Sequence, residues 1–204
     1  MCRNVPYNYF DSTLLGERQR CSAALLRFNN ACQLGSGISE GELQSMLMKV
    51  FDPQLDKTHA NHAQIPKKGS VGPGVRIEPG FRCTYGYNIR IYDNVFIGEN
   101  TRIDDSAQVD IGARSWIGAN VTILTNDVAK DMVQRKGTDG QSCTARAVII
   151  QSEVVIGTGA VIYPGVKLGR GSTVEPFAVV KHDLGDYVTQ KVPSGPQMGG
   201  GMMG

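Results

Sequence analysis

The stretch VIIQSEVVIGTGAVIYPGVKLGRGSTV (residues 148–174) repeats itself every six residues. An aliphatic residue returns at Ile150, Ile156, Ile162, Leu168 and Val174. Four positions after most of these residues stands a small or β-branched one: Val154, Ala160, Val166, Ser172 and Ala178. A period of six is neither the 3.6 of an amphipathic helix nor the strict alternation of a half-buried strand. It predicts one short strand and one corner per hexad, with three hexads closing each triangular coil.

The same period continues upstream, interrupted by three breaks in register. The aliphatic positions there are Val71, Ile77, Ile91, Ile97, Ile103, Ile111, Ile117 and Ile123. These hexads predict an all-β left-handed parallel β-helix, in which the aliphatic side chains stack inward. Glycine adopts the backbone angles at the corners that residues with side chains resist. Such a prism is too narrow for many rings, which fits an aromatic content of only 7%.

The first 50 residues follow a helical pattern instead. Residues 11–34 predict an amphipathic helix capped by Asp11 or Ser12. A second helix is expected from Ser39, which forms a capping box with Glu42.

These patterns predict a domain order along the chain. We expect a helical domain with its linker over residues 1–60 and the β-helix over 61–194, followed by a flexible tail over 195–204. Within the β-helix, residues 125–146 leave the hexad pattern and return in register. A loop that long on a repetitive scaffold is usually functional or disordered.

Composition narrows the function classes. The net charge of +2 gives no electrostatic footprint for nucleic acid, and no apolar run is long enough for a membrane span. Five cysteines without a CxxC pair predict reduced thiols in a cytoplasmic protein, with Cys83 as a core residue. His59 and His62 lack a third ligand at a recognisable spacing, so no metal site and no covalently bound cofactor is expected.

Three segments resemble one family of enzymes. FRCTYGYNIRI (81–91), IGTGAVIYPGVKLG (156–169) and VVKHD (179–183) match signatures of the maltose/galactoside O-acetyltransferases, a family of hexapeptide-repeat acyltransferases. Asp11, Leu14 and Arg18 fit the family's N-terminal pattern, so the resemblance covers about residues 7–190. It implies a homotrimer with a small-molecule cleft between subunits and acetyl-CoA as co-substrate. It also implies that a loop histidine is the general base for the acceptor hydroxyl.

The resemblance also assigns site residues. It places four residues on the acceptor side of the cleft: Arg18, Tyr85, Asn88 and Phe96. It places three near the coenzyme: Thr158, Lys181 and His182. Each of four residues has a structural alternative to ligand binding. Arg18 can form an ion pair on the face of its helix, and His182 can be an ordinary surface residue. Tyr85 and Asn88 can stabilise a corner of the coil.

The chain differs from the family at the positions of the residues that carry out the reaction. The histidine position falls on Val128, and no histidine lies between His62 and His182. Asp127 and Asp105 are the substitute carboxylates, although a carboxylate base needs a raised pKa in a desolvated cleft. Other positions of the family's cleft also carry different residues: Tyr9, Phe96, Gly98, Ser106 (or Asp105 after a one-residue slip), Val155 and Pro176.

Three functions therefore remain open. The first is acetyl-CoA-dependent O-acetylation of a small hydroxylated acceptor, with another group replacing the histidine. The second is a non-catalytic trimeric scaffold, or pseudoenzyme. The third is a cleft reused for a different reaction without acetyl-CoA.

Overall fold

The structure, a computed structural model, describes residues 6–33, 37–57, 67–133, 135 and 142–192. Helix α1 spans Ser12–Ala31 after the N-cap Asp11, so it ends before the predicted position 34. Helix α2 spans Glu40–Phe51, and the predicted capping box between Ser39 and Glu42 is present. A 3-10 turn, Pro53–Leu55, follows. Neither helix in this described part is both long and apolar enough to cross a membrane.

The predicted left-handed parallel β-helix is confirmed, with about six turns and three parallel faces. Face 1 consists of β1 (Ser70–Val71), β4 (Ile89–Ile91), β7 (Val109–Ile111), β12 (Val148–Ile150) and β15 (Lys167–Leu168). Face 2 consists of β2 (Arg76–Ile77), β5 (Phe96–Ile97), β8 (Trp116–Ile117), β13 (Val155–Ile156), β16 (Thr173–Val174) and β18 (Thr189–Gln190). Face 3 consists of β3 (Arg82–Cys83), β6 (Arg102–Asp104), β9 (Thr122–Leu124), β14 (Val161–Ile162) and β17 (Val179–Val180).

The strand register places the hexad aliphatics in vertical stacks. On face 2, Ile77 pairs with Ile97, Ile97 with Ile117, and Ile156 with both Ile117 and Val174. The three isoleucines from the middle of this stack are fully buried. Each buried side chain contributes about 1.5–3 kcal/mol relative to exposure, so the stacks are the main core of the domain.

Corners turn through residues with left-handed backbone angles, and many of these are not glycine. Among the described residues, seven that are not glycine have positive φ: Asn94, Asn100, Arg114, Asn120, Glu153, Phe177 and Tyr187. Glycine is required at Gly159, where φ is +72° and an added Cβ would lie 2.5 Å from the Phe177 ring.

The helices cover the open end of the first coil. The Phe51 and Phe81 rings, both fully buried, lie 6.2 Å apart between centroids. The end of α2 also meets the coil closely, since a Cβ on Gly86 would lie 2.2 Å from the Val50 carbonyl oxygen. The helical part therefore shares one hydrophobic core with the prism.

The three breaks in the hexad register all fall at one edge of the prism. We call residues 84–88, 104–108 and 125–147, which join face 3 to face 1, the broken corner. Its third segment begins and ends as an antiparallel ribbon of β10 (Asn126–Val128) and β11 (Cys143–Ala145). The predicted loop over 125–146 therefore leaves the coil as a ribbon, and β12 resumes the parallel pairing with β7. The predicted tail over 195–204 lies outside the described residues.

Candidate functional site

A buried carboxylate holds the first turn of the broken corner. Asp105 Oδ1 accepts hydrogen bonds from the backbone N–H groups of Thr84 and Tyr85, each at 2.8 Å. The Asn88 side-chain amide donates to the Asp105 carbonyl at 2.7 Å. Burial raises the pKa of Asp105 to about 6, although the amide donors lower it. Asp105 and Asn88 thus fix the turn, the structural role that the sequence left open for Asn88.

Arg18 and Tyr85, two of the predicted acceptor-side residues, contact each other. Its Nη1 donates to the Tyr85 hydroxyl at 2.8 Å and its Nη2 to the Tyr9 carbonyl at 2.7 Å. The guanidinium also stacks over the Tyr9 ring, 4.0 Å from the centroid. Tyr85 is fully buried, and this burial raises its pKa above the ordinary tyrosine value. The alternative, a helix-face ion pair of Arg18, is not what the structure shows.

Two further side chains of α1 reach the same turn. Buried Arg20 donates to the carbonyls of Lys49 at 2.9 Å, Val50 at 3.2 Å and Tyr85 at 2.7 Å. The Tyr87 hydroxyl donates to the Glu17 carboxylate, and burial raises the pKa of Tyr87. The pattern of the sequence did not reveal Arg20, because its partners are backbone atoms 29 to 65 residues away.

The ribbon carries the position of the family's histidine. Val128 is 47% exposed and pairs in register with Cys143. The neighbouring Asp127 is half exposed and lies 3.7 Å from the Arg146 guanidinium. An exposed ion pair of this kind is screened by solvent. The single chain therefore does not place Asp127 in the desolvated cleft that a carboxylate base requires.

The N-terminal segment contacts the ribbon where the ribbon leaves the coil. Tyr7 forms an antiparallel bridge with Cys143, and its hydroxyl donates to Asn126 Oδ1 at 2.9 Å. Burial raises the pKa of Tyr7 to about 12. Beneath it, Asp104 Oδ1 accepts from the Ser106 hydroxyl at 2.7 Å. Ser106 is fully buried, so this pair serves the corner and is closed to a ligand.

Phe96 does not join the other acceptor-side candidates within one chain. It lies on β5 of face 2, which is the face opposite the broken corner. Its ring stacks on Trp116, with 4.1 Å between centroids. The adjacent Gly98 is buried, and a Cβ there would lie 2.7 Å from the Ala119 nitrogen, so this position has no room for a side chain.

The coenzyme candidates lie at the two edges of face 3. Thr158 is exposed at the corner between faces 2 and 3, whereas Lys181 and His182 are exposed at the corner that leads back to face 1. The Lys181 ammonium lies 5.3 Å from the centre of the Tyr163 ring. The two strands between these corners, β14 and β17, carry outward Val161 and Val179 in register. This lower part of face 3 thus presents two valines with a cation at one edge, whereas the upper strands carry exposed Arg82 and Arg102.

The remaining candidates have structural positions or lie outside the structure. Cys83 packs against the core with its Sγ 3.5 Å from that of Cys21, and burial raises the pKa of its thiol. His59 and His62 lie outside the described residues. Within the described ranges, no three His, Cys, Asp or Glu side chains are grouped to hold a metal ion.

Two family profiles match the coil. The family described as bacterial transferase hexapeptide (six repeats) matches residues 147–182, and the hexapeptide repeat of succinyl-transferase matches residues 88–125. A search of curated protein sequences finds no match.

Solved structures share the whole architecture. A galactoside acetyltransferase in complex with coenzyme A is 26% identical, with a TM-score of 0.71 over 88% of this chain and 78% of that one. A maltose O-acetyltransferase from Clostridium difficile 630 is 24% identical, with a TM-score of 0.72 over 91% and 87%. A hexapeptide-repeat acetyltransferase from Vibrio cholerae, complexed with acetyl coenzyme A, is 23% identical, with a TM-score of 0.71 over 89% and 85%. The two likenesses below 25% identity establish the fold alone.

Proposed function

Because this chain is a hexapeptide-repeat protein of the maltose/galactoside O-acetyltransferase type, we propose that it binds a CoA thioester and transfers its acyl group to a small hydroxylated acceptor. The observation that carries the proposal is the shared architecture of prism, helices and loop with a galactoside acetyltransferase solved with coenzyme A. The cleft lies between the prisms of a homotrimer. We place Phe96 of one prism across this cleft from the broken corner of its neighbour, because the two lie apart within one chain.

Face 3 supports the coenzyme part of the proposal. Its outward Val161 and Val179 offer an apolar strip to the pantetheine arm. Lys181 and His182 stand at the edge where phosphate oxygens need a cation, and Thr158 offers a hydroxyl at the other edge.

Proton transfer is the weak step of the reaction. A neutral hydroxyl attacks a thioester poorly at pH 7 unless a base takes its proton, and such a base contributes about 10²–10⁴ in rate. Val128 has no acid–base group, so we assign the role to Asp127, the adjacent carboxylate on β10. The base becomes effective when a neighbouring prism covers the ribbon and desolvates it.

The coenzyme test uses the intact protein. We expect isothermal titration to show one saturable CoA site per protomer, and Lys181→Gln to weaken it about three- to tenfold. Lys167→Gln, an exposed lysine on face 1, is the matched control and is expected to bind CoA normally. Absence of binding at about 1 mM CoA would remove acyl transfer and leave chemistry without acetyl-CoA or a scaffold.

The turnover test follows thiol release from acetyl-CoA with a panel of sugars. We expect Asp127→Asn to lower the rate by about 10²–10⁴, and Asp131→Asn in the same loop to leave it unchanged. Equal rates in wild type and Asp127→Asn would remove Asp127 from the mechanism.

One observation favours the non-catalytic alternative. Arg18 donates both to the Tyr85 hydroxyl and to the Tyr9 carbonyl, so its guanidinium already has partners within the chain. A protein that binds CoA and forms trimers, but releases no thiol with any acceptor, would fit this scaffold function.

A further inference from the structure

A second cavity lies on the face 1 side of the broken corner. It has a volume of about 420 Å³, and its walls include Lys67, Lys68 and Arg90. Asn88 and Gln108 supply side-chain amides, while Tyr87 and Ala107 complete the lining. The volume is within the range of small-molecule sites, about 300–1,000 Å³. Nothing in the proposed acyl transfer uses this cavity.

The charge of the cavity is one-sided. Within the part of the chain that the structure describes, its lining contains three cations and no carboxylate. Among the described residues, none of the three cations forms an ion pair within 4.0 Å. On another corner of the prism, by contrast, Arg114 and Arg170 both pair with Glu153. Three like charges around one concave wall repel each other, and a bound anion removes that repulsion.

The nearest strand partner of Arg90 does not neutralise it. Asp110 lies opposite Arg90 in the register of β4 and β7. Its two carboxylate oxygens each accept from the Gln108 side-chain amide at 2.8 Å. Gln108 therefore holds the Asp110 carboxylate, and among the described residues Arg90 and Asp110 form no ion pair within 4.0 Å.

The cations also stand on fixed backbone. Arg90 lies between Ile89 and Ile91, both buried in the prism core. Lys67 and Lys68 precede Gly69, whose backbone N–H donates to the Phe51 carbonyl at 2.8 Å. A site held in this way needs little rearrangement when a ligand binds.

We propose that this cavity binds a phosphate or diphosphate group of a small molecule. A guanidinium offers a bidentate fork to phosphate oxygens, and two ammonium groups supply the remaining charge. The phosphate belongs either to a separate ligand or to CoA itself, and these two sources are distinguishable.

The test is isothermal titration of the full chain with inorganic pyrophosphate and with glucose 6-phosphate. We expect a dissociation constant of about 1 mM or below, weakened about tenfold or more by Arg90→Gln and by the double variant Lys67→Gln/Lys68→Gln. Glucose is expected not to bind, and Lys167→Gln is the matched control that keeps the affinity. Absence of binding at about 10 mM, or an equal loss in Lys167→Gln, would overturn the proposal.

A third titration, with CoA, identifies the source of the phosphate. A tenfold loss of CoA affinity in Arg90→Gln assigns the phosphate to CoA, whereas unchanged CoA affinity assigns it to a separate ligand. Pyrophosphate binding needs no thioester, so failure of the acyl-transfer proposal leaves this test intact. Thermal unfolding of each variant confirms that the exposed substitutions leave the fold in place.

Discussion

The regular corners and the broken corner of this prism both turn the chain from one face to the next, but they do so with different residues. Between faces 2 and 3, a left-handed residue such as Asn120 or Gly159 turns the chain, and a small apolar one such as Val121 or Ala160 is buried behind it. At the broken corner the buried residues include a polar group beside Tyr85 and Tyr87: Asp104, Asp105, Ser106 and Thr125. They are joined by directed hydrogen bonds, for example Thr125 Oγ1 to the Asp104 carbonyl at 2.7 Å.

This difference concerns how the two kinds of corner are stabilised. An apolar corner can be repeated from coil to coil because the hydrophobic effect does not depend on the orientation of the buried groups. A polar corner needs each donor and acceptor to be paired, since an unpaired buried group costs about 1–3 kcal/mol. The broken corner contains the ribbon and is also the edge that α1 and the N-terminal segment contact. The chain has therefore concentrated its specific interactions at one edge.

The largest expected effect is at Arg20, where the helical part meets the broken corner. Arg20→Leu leaves the carbonyls of Lys49, Val50 and Tyr85 without their buried donor. We expect a loss of about 4 kcal/mol in the free energy of unfolding, measured by urea denaturation. Arg102→Gln, an exposed arginine on face 3, is the control and should cost less than about 0.5 kcal/mol. Equal losses in both variants would contradict the assigned role of Arg20.

In the regular coils, we expect the loss of stability to depend only on the buried side-chain volume that a substitution removes. Ile117→Ala removes a fully buried side chain from the middle of the face 2 stack, and we expect a loss of about 3 kcal/mol. Ile149→Ala, at a half-exposed position on face 1, should lose less than about 1 kcal/mol. Similar losses at both positions would contradict the inward register of the hexads.

The next effect is a pH dependence from Asp105. Its pKa in the folded protein is raised from 3.8 to about 6, so the folded state favours the protonated form. The stability that this carboxyl contributes is complete below about pH 4 and is lost as the pH rises through 6. We expect wild type to lose about 2 kcal/mol between pH 4 and pH 7 relative to Asp105→Asn. If the difference in unfolding free energy between wild type and Asp105→Asn is the same at pH 4 and pH 7, Asp105 is ionised throughout this range.

The smallest effect is expected at the hydroxyl of Tyr85. Tyr85→Phe removes the hydrogen bond from Arg18 and keeps the packing of the ring. We expect a loss of about 1 kcal/mol in thermal or urea unfolding. Tyr163→Phe, which changes an exposed tyrosine, is expected to have no measurable effect. A loss well above that at Tyr85 would mean that Arg18 depends on this hydroxyl for its position.

The sequence predicted the prism well because its signal is periodic and local. Ile91, Ile117 and Leu168 point inward as their hexads require, and the capping box of Ser39 and Glu42 is a four-residue pattern. The site was harder to predict. Asp105 looked like a possible base, but it binds amides 17 to 21 residues earlier, which become its neighbours only after two coils have stacked.

Positions defined by a neighbouring chain are a further limit. Phe96 and Arg18 were assigned to one cleft, yet in a single chain they lie on opposite sides of the prism. The cationic cavity was not predicted, because Lys67 and Arg90 meet through the start of the first coil and carry no motif. Sequence patterns record periodicity and signatures, whereas convergence of distant charged side chains requires the folded coil.

The most direct test of the account is the rate of thiol release from acetyl-CoA by wild type and by Val128→His, measured with one sugar acceptor at pH 7. If the scaffold retains its coenzyme face and the ribbon stands over the thioester, an imidazole beside Asp127 is a better-matched base at pH 7 than a carboxylate, and the substitution raises the rate above that of wild type. If Val128→His releases thiol no faster than wild type although both bind CoA, the ribbon does not stand over the thioester, and the proposed site of reaction is wrong.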